Sequence, residues 1–507
     1  MNLALTLLAA AERHGEGEAL VDGDTRLDYG GLHERAARLA GGLAELGLER
    51  GGRLCALLTN RHETVELYWA TQWLGAWFVP LNFRLSSEEV GYCVEDADAA
   101  VVVCESVSAD AARAALGKGN RPLLAVGDVT GDEDRDGARF EELTGGAPHP
   151  GALDLGDEEV SLMLYTSGTT GKPKGVPRSH RADRAGALSE VIHHGYRHRD
   201  RSLGVMPLYH TMGMHTMIAM TLIDGCFVAM PQWDAAAALE LIAAERISSL
   251  YLAPTLYHDL FSADVDEADL SSVECVGYAG SPMPPELAAR VAEAFEPRIF
   301  FNHYGSTEMY TWAIDGDQEL KPGCAGRPAL NSRLRLVHAD ADAPPDAEVE
   351  PGEEGQVIAH LSSDEAFAGY WNRPDADQSS IRDGWYYPGD IARVDEDGDL
   401  WIVGRVDDMI ISGGENIHPA EVEEVLASHA SVEEVAVVGF QDERWGERVV
   451  AFVVGSDAAE DELDRHCKES SELAPFKRPR EYRFVDELPK SPAGKLLRRA
   501  LREESTP

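Results

Sequence analysis

YTSGTTGKPKGV, residues 165–176, follows directly on the apolar run VSLML, residues 160–164. A buried strand that empties into such a loop is a specific arrangement. Gly168, Gly171 and Gly175 relieve backbone crowding. Ser167, Thr169 and Thr170 supply hydroxyls, and Lys172 and Lys174 bring positive charge, so the segment is suited to wrapping phosphate oxygens. It is not a Walker A loop, which needs four residues between its glycines and then Gly-Lys-Ser/Thr; here two residues separate Gly168 from Gly171, and Lys172 precedes a proline. A flexible surface loop would draw on the same residue types, and the buried strand in front of this one argues against that reading.

Working outward, the chain alternates strand and helix patterns. Residues 28–46 carry apolar side chains at helical spacing, RLCALLT from Arg53 reads as a strand, residues 62–74 return to helix, and WFVPLN from Trp77 reads as a strand again. AAVVVCE from Ala99 and RPLLAVGD from Arg121 continue the series. Such repetition predicts parallel sheets covered on both faces by helices. The Gly-, Asp- and Pro-rich strip 127–158 is expected to be a surface connection. After Gly404 the texture changes to a helix near 420–428, strands at 435–439 and 449–454, an acidic helix and a basic, proline-punctuated end. The expected fold class is α/β: a large N-terminal domain over residues 1–404 with parallel-rich sheets flanked by helices, and a small α+β C-terminal domain over residues 405–507.

The 507 residues contain 45 Lys+Arg against 89 Asp+Glu, a net charge of −44, which disfavours a nucleic-acid surface. The acid is dispersed, as at 132–142, 340–346 and 395–399, and reads as a solvating surface. The 45 basic residues include only eight Lys, which leaves 37 Arg. Acid enrichment with Lys depletion points to adaptation to high salt, where screening suppresses self-repulsion. Seven Cys without a C-x-x-C pair argue against a disulfide framework or zinc ribbon and fit a reducing cytosol. The longest apolar stretch, 204–231, carries His210, His215 and Asp224 and is interrupted by Pro207, so no membrane span and a cytoplasmic protein are expected.

The 165–176 segment resembles the signature of the adenylate-forming superfamily, which includes acyl-CoA synthetases, firefly luciferase and peptide-synthetase adenylation domains. Further blocks agree with it in order: PLYHTMG at 207–213, YAGSPMP at 278–284, NHYGSTE at 302–308, WYYPGD at 385–390, GRVDDMIISGGENIHPAEVE at 404–423 and PKSPAGK at 489–495. The resemblance implies ATP or AMP contacts at Thr166, Ser167, Gly168, Thr169, Thr170, Gly280, Ser281, His303, Tyr304, Gly305, Thr307, Asp390 and Arg405. Tyr304 would pack near the adenine and Asp390 would accept the ribose hydroxyls. It implies Mg²⁺ at Glu308 and Thr169, and catalytic roles for Lys174, Glu308, His210 and Lys495. His210 would stand beside the carboxylate channel, although a core histidine is an equal reading. Asp407 would be the hinge of a mobile C-terminal domain. For CoA the resemblance implies Gly413 and Gly414 along the pantetheine, with Trp445, Phe476, Arg478 and Arg84 as further contacts. Four of the eight Lys (172, 174, 490 and 495) fall inside two of these blocks, where a compact ammonium meets oxyanions.

The implied reaction joins ATP and a carboxylic acid into an acyl adenylate with release of pyrophosphate, after which CoA thiol displaces AMP. The 404–423 block looks most like aryl-CoA ligases of the chlorobenzoate type and like succinylbenzoate enzymes, and medium-chain fatty acyl-CoA synthetases share most of it. An aryl or medium-chain acid is therefore expected. Alternatives are an adenylating enzyme with another acceptor, a luciferase-like oxidation and, from a different class, a catalytically silent nucleotide-binding protein. The absence of a carrier segment after PKSPAGK argues against a peptide-synthetase module. The acid and CoA are the expected partners, and a homodimer stays open.

Overall fold

A computed structural model describes residues 2–117, 120–129, 138–166, 172–263, 265–340, 343–412, 415–442, 445–455, 459–470, 473, 477–490 and 496–503. They form two compact units, Met1–Leu334 with Ala359–Gly384, and Arg335–Ile358 with Trp385–Pro507.

In the first unit, parallel strands Glu18–Asp22, Cys226–Ala229, Arg201–Gly204, Ser249–Leu252, Cys275–Ala279 and Ile299–Tyr304 lie side by side, with short antiparallel strands at the edges. A second sheet orders Leu123–Ala125, Val101–Cys104, Arg53–Leu57 and Trp77–Pro80 in parallel, next to the hairpin of Val160–Thr166 and Lys174–Ser179. Val-, Leu- and Cys-rich strands of this kind must be covered on both faces. The cover is helical: Leu20 and Phe227 of the first sheet and Leu54, Phe78 and Val101 of the second share one core with helices Tyr29–Glu45, His62–Leu74 and Thr211–Leu222. His62–Leu74 is accordingly buried from Glu63 to Leu74 and ends at Gly75, whose φ of 77° suits a residue without Cβ.

Helix starts follow local chemistry. Asp28 Oδ1 accepts from the Gly31 amide at 2.6 Å, and Ser179 Oγ accepts from the Ala182 amide at 3.1 Å, capping Tyr29–Glu45 and His180–His193. The strip 127–158 departs from the expected surface connection. Its described part contains a strand and a short helix, Ala138–Arg139 and Phe140–Leu143, and buries Phe140 and Leu155. Burying a phenylalanine is worth about 1.5–3 kcal/mol, enough to hold such a segment down. No helix among the described residues is long and apolar enough to cross a membrane.

In the second unit, strands Ile410–Ser412, Glu415–Ile417, Glu434–Asp442, Gly446–Val454 and Glu481–Phe484 form one sheet. Its core includes Val422 and Leu426 of helix Pro419–Ala427 and Leu463 of helix Glu460–Glu469. Asp390–Val394 and Leu400–Arg405 pair antiparallel beside it in sequence.

Candidate active site

The hairpin that opens the glycine-rich loop sets Thr166 directly opposite Lys174. The intervening Ser167, Gly168, Thr169 and Thr170 lie outside the described residues. Beyond Lys174, the Gly175 carbonyl accepts from the Trp371 amide at 2.9 Å, which anchors the segment 370–371 alongside the lysine. Lys174 Nζ stands 4.1 Å from the ring centroid of Tyr370, and the hydroxyl of the same tyrosine donates to Glu308 Oε1 at 2.6 Å. One side chain thus meets the lysine by its face and the acid by its hydroxyl.

Glu308 is buried, at 7% exposure, on the loop that leaves Ile299–Tyr304. Gly280 and the exposed Ser281 leave the neighbouring parallel strand at the same end, since Ala279 pairs with His303. In open parallel sheets ligands collect outside the carboxyl ends of the strands, where these two loops emerge. Gly280 has φ of 87°, a conformation L side chains avoid. Gly305 is required for another reason: a Cβ there would lie 1.6 Å from the Tyr310 carbonyl oxygen. Tyr304 is half-buried with its ring 5.6 Å from that of Trp312, and Thr307 is half-buried beside Glu308.

Beneath this loop runs a buried polar network. His303 Nε2 donates to the Tyr310 carbonyl at 3.1 Å, which leaves its Nδ1 to accept from His194 Nε2 at 3.0 Å. Burial pushes the His303 imidazole down to about 3, so it acts as a neutral spacer at pH 7. Tyr310 donates to Glu190 at 2.7 Å, and the hydroxyls of Thr216 and Tyr196 stand within hydrogen-bond distance of the same carboxyl, at 2.8 and 3.2 Å. Burial dominates these donors and raises Glu190 to about 8. The ring of Tyr310 stacks on His215 at 4.0 Å. His210, at the start of helix Thr211–Leu222, is pushed down to about 4 by burial; a neutral imidazole there can donate a hydrogen bond to a carboxylate without pairing as a fixed cation.

In the second unit Arg405 faces Asp390 across the ladder, with its Nη1 donating to Asp390 Oδ1 and its Nη2 to the Pro388 carbonyl, both at 2.6 Å. The segment after it turns as a short 3₁₀ helix, Val406–Asp408, whose start is tied down by the Val406 amide to the Gly389 carbonyl at 2.8 Å. Asp407 belongs to that turn.

The AMP-binding enzyme family matches residues 7–371, and the AMP-binding enzyme C-terminal domain matches residues 421–495. The chain is an AMP-binding enzyme. It is 34% identical over 502 residues to a feruloyl-CoA synthase of Amycolatopsis sp., a match spanning 97% of this chain and 95% of the relative. It is 33% identical over 488 residues to the long-chain-fatty-acid–CoA ligase FadD13 of Mycobacterium tuberculosis, spanning 95% and 93%. Among solved structures, the o-succinylbenzoate coenzyme A synthetase of Bacillus subtilis in complex with ATP and magnesium ion superposes with a TM-score of 0.85 at 27% identity, covering 98% of each chain. The expected α/β fold with a small C-terminal domain is the fold of these enzymes.

Gly413, Gly414, Phe476 and Lys495 lie outside the described residues. Trp445 is partly exposed, at 38%, with the Arg480 guanidinium 5.8 Å over its ring. Arg478 is paired with Asp464 at 2.9 Å. In the first unit, Arg84 lies against the ring of Phe83 at 5.0 Å.

Three participants were not read from the sequence. Tyr370 stands in AGYWNRP, where the glycine before it was the available signal; in the structure Gly369 takes a φ of 133°. Glu190 and Arg178 are buried charged residues of helix His180–His193 and strand Lys174–Ser179, and spacing alone does not interpret either.

Proposed function

We propose that this AMP-binding enzyme condenses a carboxylic acid, aryl or medium-chain, with ATP to give an acyl adenylate and pyrophosphate, and then transfers the acyl group to CoA with release of AMP. The observation that carries the reading is the convergence of Lys174 and Glu308 on Tyr370, which places a cation from the glycine-rich hairpin and a buried acid from the Tyr304 loop about one side chain. Catalysis on a triphosphate and a carboxylate is largely a matter of gathering negative charge. The similarity to feruloyl- and fatty-acid–CoA ligases and the small C-terminal domain support CoA as acceptor.

The donor set at Glu308 fits Mg²⁺. A hard oxygen ligand is buried there, and Mg²⁺ commonly binds through one or two carboxylates, with substrate phosphates and water completing the octahedron. The two clusters of three metal-capable side chains among the described residues, Asp22–His62–Glu63 and Asp395–Asp397–Asp399, do not include Glu308. Glu308 would hold the ion, with Thr169 beside it, and the ion when bound neutralises phosphate charge. Lys174 faces the phosphates from the hairpin. His210 orients the acid, Tyr304 flanks the adenine, and Asp390 with Arg405 addresses the ribose and α-phosphate. Lys495 neutralises the charge that grows between carboxylate and α-phosphate. Asp407 is the hinge about which a C-terminal domain beginning at residue 405 turns between the two half-reactions.

All seven cysteines are buried and no two form a C-x-x-C pair, in support of a reducing cytosol, and the net charge of −44 supports function at high salt. The deciding experiment is a panel of aryl and aliphatic acids assayed for carboxylate-dependent pyrophosphate–ATP exchange and for AMP release with and without CoA. Exchange without CoA-dependent AMP release would mean another acceptor, and the absence of exchange with every acid would remove the adenylation reading.

A further inference from the structure

Arg178 is fully buried four residues after Lys174 on the same strand. Each guanidinium nitrogen is engaged: Nε donates to Asp183 Oδ1 at 2.6 Å, Nη2 to the Ala182 carbonyl at 3.4 Å, and Nη1 to the Thr307 carbonyl at 2.8 Å. Asp183 is itself fully buried, accepts from Ser161 Oγ at 2.5 Å and lies 3.4 Å from His215 Nε2. Burial by itself would raise this carboxyl, but the charge of Arg178, with His215 and Ser161, outweighs burial and holds it below the ordinary range.

A pair that served only to stabilise the strand would need Asp183 alone. The third bond goes instead to the residue before Glu308, 129 positions along the chain. It meets a segment already tight on itself: the Ser306 amide donates to the Met309 carbonyl at 2.9 Å, the Phe367 amide donates to the Glu308 carbonyl at 2.8 Å, and Gly305 has no room for a Cβ. A carbonyl clamped from below by a charged, desolvated donor fixes the peptide that precedes the acid. Lys174 is fixed by the same strand.

We propose that Arg178 is a positioning residue that sets where Glu308 stands relative to Lys174 by holding the Thr307 carbonyl, and so governs the geometry of the metal–triphosphate site. This rests on the reading of Glu308 given above. Outer partners of metal ligands typically carry 10–100-fold in affinity or activity.

The test uses the full-length enzyme. Arg178→Gln with Asp183→Asn removes both charges together, so no lone ion is left buried, and a glutamine is too short to bridge to Thr307. Hydrogen–deuterium exchange of the segment 304–311 should rise at least roughly tenfold while strands 160–166 and 275–279 keep their protection. Pyrophosphate–ATP exchange should fall on the order of 10–100-fold with a higher Mg²⁺ requirement, and the KM for the acid should change less than about twofold. Arg178→Lys should recover the unfolding temperature but not the rate, because one ammonium on a shorter arm serves Asp183 without also reaching the carbonyl. Unchanged hydrogen exchange at 304–311, protection lost evenly across the first unit, or full activity in the lysine variant would each overturn the proposal. Glu308→Gln separates the two readings: if it leaves pyrophosphate exchange intact, the role of Glu308 falls, while hydrogen exchange at 304–311 still decides on Arg178.

Discussion

Replacing Gly305 by alanine adds one methyl group at the tightest point of the Tyr304 loop. The new Cβ would meet the Tyr310 carbonyl oxygen at 1.6 Å, whereas Cβ atoms essentially never approach a neighbour within 3.0 Å, so that carbonyl must retreat by about 1.4 Å. The obstacle is backbone, which cannot swing aside as a flexible side chain would. The φ of Gly305 is not among the positive values, so the penalty is steric and not conformational. Overpacking of this kind costs about 1–3 kcal/mol in stability. The functional cost is expected to be larger in relative terms, because the Tyr310 carbonyl accepts from His303 and the same turn holds Glu308. A displacement of about 1 Å from productive geometry can cost on the order of 10² in rate. Carboxylate-dependent pyrophosphate–ATP exchange should therefore drop by about that factor in a protein whose thermal unfolding remains cooperative. Undiminished exchange at wild-type unfolding temperature would show that the loop is not held by this contact, and the placement of Glu308 by its turn would have to be given up.

Lys495→Ala should cut acyl-adenylate formation by on the order of 10²–10³ while leaving thioester formation from supplied adenylate nearly intact, and Asp407→Pro should do the reverse; single-turnover kinetics of each half-reaction check this, and equal slowing of both halves by both variants would discard the two-conformation mechanism. Glu190 keeps its proton in the folded protein to about pH 8, against an ordinary value of 4.5, so between those values the folded state binds more protons than the unfolded one and the group's contribution to stability falls as pH rises. Glu190→Gln should consequently gain stability relative to the wild type from pH 5 to pH 8, and denaturant titrations giving a pH-independent difference would contradict the assignment. Folding and activity should both improve at molar salt over 0.1 M, where the Debye length is about 10 Å and a net charge of −44 is poorly screened; full activity after dialysis into dilute buffer would count against the high-salt reading.

Local features of this enzyme were legible before any tertiary contact was known. The helix expected over 62–74 is His62–Leu74, because a glycine able to adopt positive φ follows it and the polar residues Thr59, Asn60 and Arg61 separate it from the preceding strand. The apolar run in front of the glycine-rich segment is the strand Val160–Thr166, buried from Ser161 to Leu164 as its composition requires. These are properties of short stretches, fixed by propensity, periodicity and backbone sterics. What the sequence could not decide was which distant groups meet. Tyr370 and Glu308 are 62 residues apart and Arg178 and Thr307 are 129 apart. Nothing in the local pattern of either partner names the other. The choice is made when two parallel sheets close on one layer of helices and bring loops from different strands to one edge. The same holds for ionisation: Glu190 is an ordinary helix carboxylate by sequence, and only full desolvation carries it to about 8. Charge-bearing chemistry here depends on burial and on neighbours across the fold, quantities that come into existence with the tertiary structure.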